Sequence, residues 1–157
     1  MLHAYEHSAD AFTSTPEERS LEPDSWWVKR IADPAAMTIA FGAVESGNLV
    51  GTVSLEFSAK PKTRHKALVV GMYVTPGWRG KGLARGLLQA VLDHCATRAE
   101  IQVVQLEVTE GNEPAIGLYQ YFGFKAYGVE PMAVLTPSGF RSKVHMWLTL
   151  PRPSNAV

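Results

Sequence analysis

The feature that most constrains this chain is a short glycine-bearing turn, Arg79-Gly80-Lys81-Gly82-Leu83-Ala84. It stands between an apolar run and a helical pattern. Upstream, Ala67-Leu68-Val69-Val70-Gly71-Met72-Tyr73-Val74 reads as a buried strand. Downstream, Leu83, Leu87, Leu88, Val91, Leu92 and Cys95 recur at helical spacing. A small-residue turn between strand and helix leaves backbone N–H groups unpaired at the helix N-terminus. Those donors and the positive end of the helix dipole suit an anionic phosphate. Glycine lets the phosphate approach the backbone, and Arg79 and Lys81 add positive charge at the mouth. The turn is not a Walker loop, because no Gly-Lys-Ser/Thr follows at the required spacing. Nor is it the dinucleotide fingerprint, because its third small residue comes too early. Taken alone, it is a weak signal, and its plain alternative is an ordinary strand-to-helix turn eased by two glycines.

A second block follows: Leu106-Glu107-Val108, then Asn112, Ala115-Ile116, Leu118-Tyr119 and Gly123-Phe124. Together the two blocks resemble the GNAT superfamily of N-acetyltransferases. Arg79-x-x-Gly82-x-Ala84 is similar to its Arg/Gln-x-x-Gly-x-Gly/Ala acetyl-CoA motif. The second block is similar to the branch that acetylates protein N-termini, including ribosomal-protein alanine transferases. The likeness is specific over residues 67–128 and loose over the first sixty. It implies a GNAT-like α/β fold, with a mixed, mostly antiparallel central sheet flanked by helices. The superfamily normally opens with a strand before its first helix. This chain begins inside that helix, so the first strand is expected to be missing, replaced, or lost through a late start codon.

The 157 residues predict one domain over residues 1–150, long enough to bury a core, with a flexible tail over 151–157. Formal net charge is zero, which gives no global electrostatic case for nucleic acid or a membrane surface. There is no run of eighteen apolar residues and no basic-then-apolar leader, so a cytoplasmic protein is expected. Cys95 is the one cysteine, which excludes an internal disulfide. On an apolar helix face it reads as a buried, inert thiol.

The remaining elements follow from local signals. Residues 1–10 can form a short helix. Thr15-Pro16-Glu17-Glu18 has the form of a capping box with proline at the first helical position. A helix is predicted from Pro23-Asp24-Ser25 to Ile31, anchored by Trp26, Trp27 and Ile31 and ended by Asp33-Pro34. Strands are predicted at 37–44 and 49–57 around the turn at 45–48, and at 67–74, 103–109, 125–134 and 143–150. Asn112 caps a short helix that tolerates Pro114 in its first turn.

The resemblance assigns roles to particular residues. Direct attack of an amine on a thioester needs a neutral amine, a polarised carbonyl and a proton for the leaving thiolate. Tyr119 is the matching general acid, with a core tyrosine as the plain alternative. Glu107 is the candidate base, or else an exposed strand carboxylate paired with a nearby cation. The strand at 67–74 carries no carboxylate, so the superfamily's other base position is vacant. Acetyl-CoA as co-substrate is expected against Met72, Tyr73, Val74, Arg79, Gly80, Lys81, Gly82, Leu83, Ala84, Asn112, Ala115 and Tyr119. Backbone groups of Met72 and Val74 would pair with the pantetheine arm, beside a bulge suited to Gly71. No metal-ligand spacing stands out.

The acceptor side is open at this level. Phe12, Trp26, Trp27, Tyr127 and Met132 are candidates for its wall or for the core. The basic stretch from Lys60 to Lys66 is either a coenzyme contact or a solvated loop. The expected function is acetyl-CoA-dependent N-acetylation of a primary amine, on a protein N-terminus or a small molecule. A non-catalytic acyl-CoA-binding or regulatory module is the alternative. The resemblance also allows a homodimer.

Overall fold

The computed structural model describes residues 1–33, 35 and 37–151. Pro34 and residues 152–157, most of the expected tail, lie outside them. Helices α1 (Leu2–His7), α2 (Pro16–Ser20) and α3 (Asp24–Ile31) precede strands β1 (Thr38–Glu45), β2 (Asn48–Phe57) and β3 (Lys66–Val74). Helix α4 (Leu83–Ala96), strand β4 (Val103–Thr109), helix α5 (Glu113–Tyr121) and strands β5 (Lys125–Thr136) and β6 (Gly139–Thr149) follow. No strand precedes Thr38 among the described residues.

The strands form one six-stranded sheet in the order β1-β2-β3-β4-β6-β5. Every neighbouring pair is antiparallel except β3 and β4. That parallel pairing requires a crossover, which α4 supplies. The mixed, mostly antiparallel sheet flanked by helices is the expected fold class.

Alternation along β2 sorts the layers. Val53 and Leu55 are fully buried and face α4, where Leu87, Leu88, Val91 and Cys95 form the apolar stripe. Ala67, Val69, Val104, Leu106 and Met146 complete this core. Each fully buried aliphatic side chain contributes roughly 1.5–3 kcal/mol of burial free energy. Burial also pushes the Cys95 thiol up to about 11, so it is inert at neutral pH. On the other face, Thr52 donates from Oγ1 to Met1 Sδ at 3.4 Å, and Glu56 pairs with Arg30 of α3 at 3.4 Å.

Local chemistry explains the edges of the elements. Thr15 Oγ1 accepts from the Glu18 N–H at 3.1 Å, which starts α2. Ser46 and Gly47 both have positive φ, as a tight β1–β2 hairpin turn requires. One expectation is corrected in α3. Ile31 is 62% exposed and anchors nothing. Trp26 instead takes the Arg19 guanidinium of α2 over its ring at 4.7 Å, and Arg30, also within 4.6 Å of that ring, reaches Glu56 of β2. The β5–β6 hairpin is also longer than predicted, its strands running up to a two-residue turn at Pro137-Ser138.

Candidate functional site

The site grows from the point where β3 and β4 part. Their pairing runs only from Lys66↔Val103 to Val69↔Leu106. Just beyond, β3 carries an extra residue relative to β2, since Ser54 pairs with Val70 and Thr52 with Tyr73. Gly71 sits in this bulge at φ 65°, a conformation costly for side-chain-bearing residues. The bulge turns β3 away from β4 and leaves strand backbone facing a gap.

A cavity of about 810 Å³ fills that gap. Met72, Tyr73 and Val74 line it from β3, and Arg79, Gly80, Gly82, Leu83 and Ala84 line it from the turn and the start of α4. Asn112, Ala115 and Tyr119 close it from α5. Two expected residues are not among its walls. The Lys81 side chain lies over the Trp78 ring at 4.2 Å. Glu107 lies one residue past the last β3–β4 pair, on the face opposite Leu106, with Lys143 Nζ 2.9 Å from Oε2 and His145 Nδ1 3.7 Å from Oε1.

The turn fits a phosphate-bearing ligand. Gly80 and Gly82 have φ of 74° and 82°, and space beside both is open where a Cβ would stand. Among the described residues no side chain caps the α4 N-terminus, whose cap position is Gly82, so its first N–H groups are left without intrahelical partners. Arg79 does something other than attract anions. Its Nε donates to the Val74 carbonyl at 2.9 Å and its Nη2 to Ser8 Oγ at 3.1 Å. It thus ties the end of β3 to the N-terminal segment.

At the other end, Tyr119 is 5% exposed and packs edge-on against Phe124 at 5.9 Å. Burial pushes its phenol up to about 12, so it is a proton-bearing donor throughout the neutral range. Asn112 Oδ1 accepts from the Ala115 N–H at 3.3 Å and so caps α5. Its capping role and its place in the cavity wall coexist.

The chain matches the Acetyltransferase (GNAT) family model over residues 1–124. It belongs to that family. Among the relatives of this GNAT chain, the L-amino acid N-acetyltransferase AaaT of Escherichia coli is 27% identical over 67% of the chain and 64% of its own length. The N-alpha-acetyltransferase RimI of Mycobacterium tuberculosis is 34% identical over 56% of the chain and 52% of its own length. The GNAT chain therefore spans about half to two thirds of these two relatives. The structure of yncA from Salmonella typhimurium, solved with its cofactor acetyl-CoA, superposes with a TM-score of 0.79 at 23% identity. It covers 99% of this chain and 87% of its own and shares the fold.

Several cavity residues were invisible to sequence reasoning. Ser8, Asp10 and Ala11 line it from the N-terminal segment, Thr109 and Glu110 from the end of β4, and Arg141 from β6. A 3-10 turn at Ala9–Ala11 is docked by Thr109 Oγ1, which donates to the Asp10 carbonyl at 2.6 Å. Of the candidates for the acceptor wall, Phe12 reaches the cavity; Trp26, Trp27, Tyr127 and Met132 do not. The basic stretch from Lys60 to Lys66 lies outside it as well. Among the described residues, no group of three His, Cys, Asp or Glu is placed to hold a metal, and no helix is long and apolar enough to cross a membrane.

Proposed function

We propose that this chain is an acetyl-CoA-dependent N-acetyltransferase acting on a primary amine, on a protein N-terminus or a small molecule. The observation that carries the reading is one cavity uniting three features: the open N-terminus of α4, the splayed backbone of β3 and the buried Tyr119 hydroxyl-bearing ring. The α4 N-terminus would receive the pyrophosphate. Met72 and Val74 would present strand backbone to the pantetheine amides, with the Val74 carbonyl already sharing one lone pair with Arg79.

Tyr119 would serve the leaving sulfur. With its phenol near 12, it is a weaker acid than an ordinary thiol at about 8.5. Its main contribution is a hydrogen bond donated to developing thiolate charge, proton delivery following as the thiolate leaves. Glu107, outside the cavity and paired with Lys143, would reach the acceptor nitrogen only across a bridging water. Asp10 and Glu110 bring carboxylates to the acceptor side, where they favour a cationic amine.

The amine reading is supported by relatives named for L-amino acids and for N-alpha amines. A cytoplasmic location goes with it. So does a homodimer, for which the exposed Val129, Leu135 and Phe140 of the β5–β6 hairpin offer an apolar surface.

The test is thiol release from acetyl-CoA across N-terminal peptides, lysine peptides, polyamines, amino acids and aminoglycosides, with Tyr119→Phe alongside. Release with one class, reduced in the variant, supports both the reaction and the donor. Tight acetyl-CoA binding with no release on any amine would point to a binding module instead.

A further inference from the structure

Tyr73 occupies a position that the reaction above does not use. It is 8% exposed, yet it borders two spaces. One is the main cavity. The other is a hollow of about 270 Å³, bordered also by Met1, His3, Val50 and Thr52. Tyr73 is common to the linings of both. Its Oη lies 3.0 Å from His3 Nδ1, and the two rings meet edge-on at 6.0 Å. His3 is itself exposed to solvent. It stacks on His7 at 3.9 Å, and the His7 Nδ1–H donates to the His3 carbonyl at 3.0 Å, which fixes the two rings as a pair.

We propose that Tyr73 and His3 form the proton exit of the site. Tyr73 takes a proton from the acceptor ammonium at Oη while passing its own to His3 Nδ1, and His3 releases that proton to solvent. The inference rests on the acetyltransferase reading. Imidazole is the side chain suited to this exchange near neutral pH. Tyr73 borders the cavity directly and is hydrogen-bonded to His3, which lines only the smaller hollow. Glu107 borders neither space, and the cavity carboxylates Asp10 and Glu110 have no such bonded path through an imidazole.

The protons balance. Acetylation removes two from an ammonium. The first leaves through Tyr73 and His3, freeing the nitrogen lone pair. That lone pair forms the C–N bond, and the C–S bond breaks with its electron pair going to sulfur. Tyr119 donates a hydrogen bond to the departing sulfur, and the second proton, lost from nitrogen, reaches the thiolate through solvent. The charged and titratable groups around the pair are the Arg79 guanidinium, 5.7 Å over the Tyr73 ring, His7 against His3, and Asp10, Arg85, Glu110 and Arg141 in the cavity that Tyr73 lines. Phe12 packs on Tyr73 from the third side, at 6.4 Å, and is uncharged. Direction matters: Tyr73 can donate only if His3 carries its neutral proton on Nε2.

The experiment measures kcat/KM against pH for wild type, His3→Gln and Tyr73→Phe, using the best amine of the panel, with acetyl-CoA affinity alongside. Both variants should lose about 100-fold or more at neutral pH. The loss should shrink as pH rises and the amine deprotonates unaided, and acetyl-CoA affinity should stay within about twofold. A merely structural role would not be relieved by alkali. Wild-type rates and pH profile in both variants would overturn the relay while leaving the acetyltransferase reading intact. No release by the wild type on any amine would overturn both. A second readout, independent of turnover, is the nitrogen NMR of His3 in the wild-type chain. A neutral Nε2–H tautomer that changes in Tyr73→Phe is expected, and a neutral Nδ1–H tautomer would overturn the relay.

Discussion

Arg79 Nη2 donates to Ser8 Oγ at 3.1 Å, so the first residue of the glycine turn holds the N-terminal segment. The same guanidinium donates to the Val74 carbonyl. Two charge-assisted bonds from one fork are typical of arginine, and lysine cannot reproduce them. Arg79→Ala should cost about 1–3 kcal/mol of stability and raise KM for the acceptor more than for acetyl-CoA. Arg79→Lys should rescue little. Thermal unfolding and paired KM measurements check both; a defect confined to acetyl-CoA would place Arg79 at the phosphates instead.

Gly82 separates backbone strain from ligand space. Its φ is 82° and its missing Cβ would meet no atom within 4 Å. Gly82→Ala should therefore cost about 1–2 kcal/mol, from the left-handed backbone alone. Gly82→Glu should add a carboxylate where the pyrophosphate is expected and abolish acetyl-CoA binding. Calorimetric titration decides it, and unchanged affinity in Gly82→Glu would end the phosphate assignment.

Tyr119→Phe removes the hydroxyl and keeps the ring against Phe124. Turnover should fall about 100- to 1,000-fold with acetyl-CoA affinity retained. Equal turnover would take Tyr119 out of the chemistry.

The buried phenol also sets an alkaline limit. Tyr119 is raised from 10.0 to about 12, and Cys95 from 9.0 to about 11, both by burial. A raised value means that the folded chain holds the proton more tightly. The associated stability is whole below the unfolded values and is lost as pH climbs through the folded ones. Stability should decline from pH 9 to 11 through Cys95 and from 10 to 12 through Tyr119. Each contributes on the order of 2–3 kcal/mol. Denaturant midpoints across that range should fall less steeply in Tyr119→Phe; a slope equal to wild type would contradict the burial of its hydroxyl.

Glu107 and Lys143 form a partly exposed pair, the carboxylate side chain being 39% accessible. Such pairs contribute at most about 1 kcal/mol. Glu107→Gln should therefore leave the unfolding midpoint nearly unchanged and cost less than about tenfold in turnover, below the loss expected of a general base. A larger fall in turnover would restore Glu107 as the base.

The sequence made legible what is built from neighbours. The strand, turn and helix around Gly82 came from local periodicity, and Asn112 was visible as a cap because its partner, Ala115, is three residues away. The bulge in β3 was implied by the family resemblance, with Gly71 as the residue suited to it. What stayed hidden was contributed across distance. Lys143 reaches Glu107 only because β4 pairs with β6. Ser8 and Asp10 enter the site only because Arg79 and Thr109 hold them there. Ile31 was misplaced because helical spacing marks a stripe but not how much of it the sheet covers.

The four pairs that join β3 to β4 also have a mechanical meaning. They are the seam between two antiparallel plates, β1-β2-β3 and β4-β6-β5. Beyond Val69 and Leu106 the backbone offers no stitching across this line. The molecule is thus stiff within each plate and compliant at the open end of the seam. A ligand bonded to both lips would act as the missing stitches, and slower amide exchange at Met72 and Val74 would be the sign of it.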